Sequence, residues 1–266
     1  MTIGMSSAGY YGRLETEEAA AHVATLGAAC CEVFLEAQSE YNAGFGRLVR
    51  EKLADVPCVS VHPKGTQFEN DLFGRSRRQV ADALALFTGV CDAGQAMGAR
   101  YYVMHGPGLA TVLPPEKIYA VKERLAAMRE IAGERGMTVL WENVSWCNVR
   151  TVRDVEAVRD LSPEQGFVLD IKQAMRAGQE VAAMARAMGG ALRHVHVLDR
   201  AADGRLCLPG EGSVDWPGLF ALLGEIGYDG AVIMEPYSEL TTDDAAVVRA
   251  LDVLRAAGCN LAKRVV

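Results

Sequence analysis

Eight short apolar segments recur along the chain, and a stretch with helical periodicity follows each of them. Strands that alternate with helices in this way form a parallel sheet covered by helices, and a count of eight favours closure into a barrel. The predicted fold class is therefore α/β, a single (β/α)8 TIM barrel formed by residues 1–266. The predicted strands cover residues 2–6, 30–35, 56–62, 100–105, 137–142, 166–170, 192–199 and 230–235. The predicted helices cover residues 16–26, 44–53, 74–97, 114–135, 152–160, 173–188, 216–227 and 243–257, and the fourth begins at Pro114 and Pro115.

Composition excludes several classes of protein. The net charge of −7 does not favour general binding to nucleic acid, which needs clusters of Lys and Arg. Seven cysteines without a CxxC spacing predict reduced thiols in a cytoplasmic protein. The chain has neither a signal-peptide pattern nor a run of about 18 apolar residues, so secretion and membrane insertion are not expected. No Gly-x-Gly-x-x-Gly follows the first strand, which argues against a dinucleotide-binding doubly wound sheet.

Side chains with acid, base or metal-ligand chemistry stand at the ends of most predicted strands. In a (β/α)8 barrel the C-terminal strand ends meet at one mouth, where active sites lie. His194 and His196 share one face of the seventh strand because side chains alternate. Several carboxylates and imidazoles are unfavourable to bury together without a cation, so the strand ends predict a cation site. The strand-end residues are Glu36, His62, His105, Glu142, Asp170, His196 and Glu235.

Three carboxylates and one imidazole make up the oxygen-rich part of this set. They are Glu142, Asp170, His196 and Glu235. Such a set suits a hard or borderline divalent ion better than it suits a thiolate-type zinc site. The predicted cofactor is Mn²⁺, with Mg²⁺, Co²⁺ and Zn²⁺ as alternatives. A metal that polarises a carbonyl group makes the neighbouring C–H acidic, and a carboxylate can then remove or return the proton.

Seven motifs occur in order at barrel spacing along nearly the whole chain. They read Val-Ser-Val-His-Pro, Val-Met-His-Gly-Pro, Leu-Trp-Glu-Asn, Val-Leu-Asp, His-Val-His-Val-Leu-Asp, Leu-Pro-Gly-Glu-Gly-Ser-Val-Asp-Trp and Val-Ile-Met-Glu-Pro. The motifs resemble those of the sugar phosphate isomerase/epimerase superfamily, the xylose isomerase-like TIM barrels. Resemblance to its ketose 3-epimerases and inosose-processing enzymes implies that Glu142, Asp170, His196 and Glu235 are the metal ligands. It also implies that Glu142 and Glu235 are catalytic and exchange a proton with the substrate carbon.

The implied enzyme is an isomerase that acts on a sugar or a sugar-like polyol. Two glutamates on either side of one carbon permit epimerisation, whereas a proton carried between neighbouring carbons gives aldose–ketose isomerisation. The residues do not choose between these reactions. The expected partner is this small molecule, with no nucleic acid or membrane, and a homo-oligomer is possible.

Other strand-end and loop residues are predicted substrate contacts. His62 and His105 belong to this group. The epimerases commonly carry Asp-x-x-His after the sixth strand, and this chain has Gln173 in place of that histidine. Gln173 can exchange hydrogen bonds with a substrate but cannot carry a proton. Lys172 is expected in solvent, because lysine is seldom buried, and the alternative is a contact with an oxyanion or phosphate.

Residues 200–215 resemble a lid over the barrel mouth. Its glycines and a Pro-Gly pair indicate turns and a flexible backbone. Arg205 is predicted to clamp a substrate oxygen, as the family's arginine in the corresponding loop does. A solvent-facing arginine is an equal alternative.

Three other functions share this barrel. An apurinic-site endonuclease of the endonuclease IV type would use the same strand-end residues. Gln173 replaces its second histidine after strand six, however, and Asp215-Trp216-Pro217 replaces its Asp-x-His. A lyase or dehydratase acting on an inosose or 3-keto sugar begins with the same proton abstraction. A non-catalytic sugar-binding subunit is the third alternative.

Overall fold

The computed structural model describes residues 1–65, 68–109 and 118–262. Its main sheet is a closed barrel of eight strands, and all neighbouring strands in it are parallel. The barrel strands are β1 Thr2–Ser6, β2 Cys31–Leu35, β3 Cys58–Pro63, β4 Tyr101–Met104, β5 Thr138–Glu142, β6 Gly166–Asp170, β7 Leu192–Val197 and β10 Ala231–Met234. The spatial order is β1-β10-β7-β6-β5-β4-β3-β2, so the first and last strands close the barrel. The predicted (β/α)8 barrel is confirmed.

Helices surround the barrel, and polar side chains fix where several of them begin. The described helices are α1 Thr16–Thr25, α2 Ala43–Lys52, α3 Glu69–Leu72, α4 Arg77–Met97, α5 Ile118–Gly133, α6 Val152–Leu161, α7 Ile171–Arg176, α8 Val181–Met188, α9 Trp216–Glu225 and α10 Asp244–Ala262. Asn42 and Asp215 accept hydrogen bonds from the first turns of α2 and α9, and Thr151 with Asp154 forms a capping box at α6. None of the helices in the described ranges is both long and apolar enough to cross a membrane.

The prediction of one helix over 173–188 is wrong. Two helices occupy this region, and the first starts immediately after β6 because the Asp170 side chain accepts from the Gln173 backbone N–H. Gly178, with φ +68°, then turns the chain into the left-handed region, which glycine adopts readily, and separates α7 from α8. The predicted start of another helix at Pro114 and Pro115 lies outside the described residues.

Strand β7 is also shorter than predicted. It ends at Val197, and residues 199–207 leave the barrel as a two-stranded antiparallel hairpin. The hairpin strands are β8 Asp199–Arg200 and β9 Leu206–Cys207.

An apolar cluster lies inside the barrel just below the C-terminal ends of β4, β5 and β6. Val103, Leu140 and Val168 pack together there as one buried apolar cluster. Because side chains alternate along a strand, the next inward-facing positions on β5 and β6 are two residues further on. These positions are Glu142 and Asp170, so the pleat places carboxylates directly above an apolar layer.

Candidate metal centre

Four side chains from four strand ends converge at the barrel mouth. Each offers one ligand atom, and these atoms lie within 4.8 Å of one another. Nδ1 of His196 is 3.1 Å from Oε1 of Glu142 and 3.5 Å from Oε2 of Glu235. The side chain of Glu235 is 14% exposed, so this group opens towards solvent at β10. We call Glu142, Asp170, His196 and Glu235 the ligand set, and the structure brings together all four residues that the sequence proposed for it.

Strand pairing explains this convergence. Asp170 at the end of β6 is the register partner of His196 on β7. Ile233 on β10 pairs with the same histidine, and Glu235 lies two residues beyond Ile233 on the same side. The register of β6, β7 and β10 therefore brings together three members of the ligand set, Asp170, His196 and Glu235.

Lys172 lies inside this centre, and the expectation of a solvated lysine is wrong. Its residue is 3% exposed. Nζ lies 2.5 Å from Oδ2 of Asp170 and also donates to Oε2 of Glu235. The first turn of α7 carries the side chain back over the strand end, where the two carboxylates offset the cost of burying an ammonium group.

His62 and His105 flank the ligand set on the side of β3 and β4. Their Nε2 atoms lie 3.6 Å and 3.2 Å from Oε2 of Glu142, and their rings meet edge to face with centroids 4.6 Å apart. Oε2 of Glu142 and the Nδ1 atoms of both histidines are buried without a hydrogen-bond partner among the described residues. Buried polar atoms are normally satisfied, so this spot is chemically incomplete and suited to a ligand.

Glu32 is the site residue that the sequence analysis missed. This fully buried carboxylate on β2 accepts a hydrogen bond from Ser60 Oγ at 2.8 Å. Its Oε2 also lies 3.0 Å from Nε2 of both His194 and His196, which confirms that the two histidines share a face. One acidic residue inside the apolar run 30–35 was the available signal. The predicted Glu36 is instead outside the three groups of candidate metal ligands found among the described residues.

Gln173 and Arg205 have different surroundings. Gln173 is buried, and its Oε1 accepts from the backbone N–H of Ser145 at 3.2 Å and from its hydroxyl at 2.7 Å. Arg205 has a side chain that is 73% exposed and pairs with Asp203, with Nε and Oδ2 3.6 Å apart. Gln173 therefore lies beside the centre. Arg205 faces solvent, which was one of the two alternatives that the sequence left open for it.

The segment expected to be a flexible lid is held by one buried carboxylate. Asp199 accepts hydrogen bonds from the backbone N–H groups of Gly210, Gly212 and Val214 and from Nε1 of Trp216. These bonds fold residues 199–216 into a defined loop. The prediction that glycines make this segment flexible did not account for that anchor.

Charges within the centre pull the pKa values of its members in different directions. Burial disfavours the ionised form of Glu142, but the facing imidazoles, His196 first, hold its pKa well below the ordinary range. Burial likewise opposes protonation of His196, yet the surrounding glutamates raise its pKa well above the ordinary range. Burial raises the pKa of Asp170 to about 7, with Lys172 opposing the shift.

The residues fit a divalent cation. Carboxylate oxygens with one imidazole nitrogen are a donor set for a hard or borderline divalent ion, and Oε2 of Glu142 is a buried acceptor with no hydrogen bond. Metal ligands are deprotonated, so in the loaded centre His196 would be neutral, and three ionised carboxylates with the Lys172 ammonium would leave two negative charges. A divalent cation neutralises these charges.

Residues 20–257 match a family model described as xylose isomerase-like TIM barrel. The chain belongs to this family. The resemblance predicted from the strand-end motifs is confirmed. A search of curated protein sequences found no match to the chain.

Solved structures share the fold of this family member at low sequence identity. D-psicose 3-epimerase from Clostridium cellulolyticum H10, crystallised with D-tagatose, is 17% identical over 97% of this chain and 99% of that chain, with a TM-score of 0.78. The 3-keto-D-glucoside 4-epimerase YcjR from E. coli is 17% identical over 96% of this chain and 99% of that chain, with a TM-score of 0.75. The IolI protein with a bound zinc atom is 16% identical over 99% of both chains, also with a TM-score of 0.75. These likenesses establish the fold.

Proposed function

We propose that the protein is a divalent-metal-dependent isomerase or epimerase of a sugar or sugar-like polyol. The observation that carries the proposal is the convergence of Glu142 and Glu235, from well-separated strands, on one nitrogen of His196. Two carboxylates within reach of one substrate carbon are what proton removal and return at that carbon require. Family membership and two structural relatives named as sugar epimerases support the same class of substrate.

The ligand set would hold the cation, for which Mn²⁺ is our first candidate, with Mg²⁺, Co²⁺ and Zn²⁺ as alternatives. When bound, the cation supplies Lewis acidity, which polarises the substrate carbonyl and makes the neighbouring C–H acidic. Glu142 is ionised because the facing imidazoles lower its pKa, and a carboxylate must be ionised to remove a proton.

The proposed proton transfer uses the two glutamates. One carboxylate removes the proton from the carbon next to the carbonyl, and the other returns a proton to the opposite face, which inverts that carbon. If the same carboxylate returns the proton to the neighbouring carbon, an aldose and a ketose interconvert. His62 and His105 would contact substrate oxygens beside Glu142, and Gln173 would offer its amide N–H. Arg205 is not assigned a role because its side chain is exposed.

Deuterium exchange tests this proposal. The protein is stripped with EDTA, reloaded with Mn²⁺ and incubated in D2O with a panel of ketoses, aldoses and keto-cyclitols, and label is located by NMR. We expect deuterium at the carbon next to the carbonyl of at least one sugar, and Glu142→Gln or Glu235→Gln to slow exchange by about 10²–10⁴-fold. Glu40→Gln is the matched control, because Glu40 is a buried carboxylate that accepts from Thr16 and lies outside the ligand set.

The same experiment separates the alternatives. A dehydrated product supports the lyase, and cleavage of abasic DNA in a parallel assay supports the endonuclease, for which His62, His105 and Glu142 form a second group of candidate metal ligands. Sugar binding without any exchange supports a non-catalytic subunit. Exchange retained in Glu235→Gln removes that residue from the mechanism.

A further inference from the structure

Lys172 introduces a positive charge where the ligand set needs to hold another one. It is the second residue of α7, and its ammonium group donates to two members of the set, Asp170 and Glu235. The side chain is 4% exposed, so water screens its charge only weakly. Its charge therefore acts on the centre almost as a bound cation would.

The net charge of the ligand set and Lys172 determines which ionic charge the centre can neutralise. When a metal is bound, His196 must be neutral and the carboxylates ionised, so Glu142, Asp170 and Glu235 contribute three negative charges and Lys172 offsets one. Glu32 is not a member of the ligand set. Its carboxylate is hydrogen-bonded to two imidazoles and to the Ser60 hydroxyl. Uncompensated charge in a buried site is unfavourable, so the centre with Lys172 is matched to two further positive charges and the centre without it to three.

We propose that Lys172 is a built-in cation of the metal centre, which opposes metal binding and matches the ligand set to a divalent ion rather than a trivalent one. This inference rests on the proposed function only in assuming that the ligand set binds a metal. Lys172 is a specificity-determining residue for the ion, because its repulsion grows with the charge of the ion that binds.

The test compares ions of different charge on variants with and without the ammonium group. Lys172→Met removes the charge at similar length, and Lys172→Arg keeps it. Lys64→Met is the matched control, because Lys64 follows β3 at the same end of the barrel and its ammonium donates to the Tyr11 hydroxyl. Metal-free preparations of each protein are titrated calorimetrically with Mn²⁺ and, separately, with Tb³⁺.

We expect Lys172→Met to bind Mn²⁺ on the order of 10- to 100-fold more tightly than the wild type. The logarithm of the gain for Tb³⁺ should be about one and a half times that for Mn²⁺, because the removed repulsion scales with ion charge. Lys172→Arg and Lys64→Met should stay within about threefold of the wild type. A purely structural role for Lys172 would instead weaken both ions together.

Unchanged or weaker Mn²⁺ binding by Lys172→Met overturns the inference while leaving the proposed isomerase intact. If Lys172→Met does not fold, Lys172→Gln is titrated in its place and judged by the same ratio of Tb³⁺ to Mn²⁺ gain. If the variants show the expected affinities for Mn²⁺ and Tb³⁺ while the protein shows no deuterium exchange with any sugar, the result supports the inference and contradicts the proposed function. If neither the wild type nor any variant binds either ion, the inference about Lys172 and the proposed function are both overturned.

Discussion

Glu32 and His196 are hydrogen-bonded inside the barrel, with Oε2 of the glutamate 3.0 Å from Nε2 of the histidine. On the other side of the ring, Nδ1 lies 3.1 Å from Oε1 of Glu142, so the imidazole is held between carboxylates from β2 and β5. Glu32 therefore helps to fix the orientation of the one imidazole in the ligand set. Glu32 and His196 are 164 residues apart in the sequence.

Glu32→Gln should weaken Mn²⁺ binding by about 10- to 100-fold, because a neutral amide orients the ring less firmly and lowers its basicity. The measurement is calorimetric titration of metal-free protein. Glu40→Gln, which removes a buried carboxylate outside the centre, should bind Mn²⁺ like the wild type. Equal affinity in Glu32→Gln and wild type would show that the His196 ring is held by its other contacts.

Gln173→His should change substrate preference more than metal affinity. The backbone N–H of residue 173, not its side chain, donates to Asp170, so the ligand set keeps this contact in the variant. We expect the ratio of kcat/KM for two competing ketoses to shift by about tenfold while the Kd for Mn²⁺ changes by less than about twofold. A fall in bound metal, measured by elemental analysis, would contradict the separation of these two roles.

Glu69 should make stability depend on pH near neutrality. Burial raises the pKa of its carboxyl from 4.5 to about 7, against the nearby His105 and hydrogen bonds from Gly106 and Tyr102. Because the folded state favours the protonated form, this stabilising contribution is complete below pH 4.5 and is lost as pH rises through 7. The free energy of unfolding of the wild type, relative to Glu69→Gln, should fall by about 3 kcal/mol over this interval. Urea unfolding of both proteins at several pH values measures the difference, and a flat difference would contradict the raised pKa.

Gly106→Ala should destabilise the protein by about 2–4 kcal/mol, because it combines backbone strain with a steric clash. Gly106 has φ +75°, and an added Cβ would lie 2.5 Å from Nε1 of Trp141. Gly12 is the matched control, since it has φ +73° but nothing within 4 Å of an added Cβ. Gly12→Ala should therefore cost only about 1–2 kcal/mol in chemical unfolding, from backbone strain alone. Equal costs at the two positions would contradict the clash with Trp141.

Strand ends were the part of the structure that the sequence predicted best. Apolar runs with a terminal carboxylate or imidazole identify both the strand and the side chain that reaches the mouth, as Glu142 and Asp170 illustrate. Lys172 and Glu32 were harder, because their burial depends on partners from distant strands. The break in the predicted helix at Gly178 and the outward turn of Arg205 depend on local contacts that periodicity does not encode.

Pairing of β1 with β10 has a consequence for the order of events during synthesis. Glu235 follows β10, whereas Glu142 and Asp170 leave the ribosome 93 and 65 residues earlier. A nascent chain that lacks β10 has an open barrel and an incomplete ligand set. Under the proposed function, the metal site is therefore complete only after β10 has been synthesised.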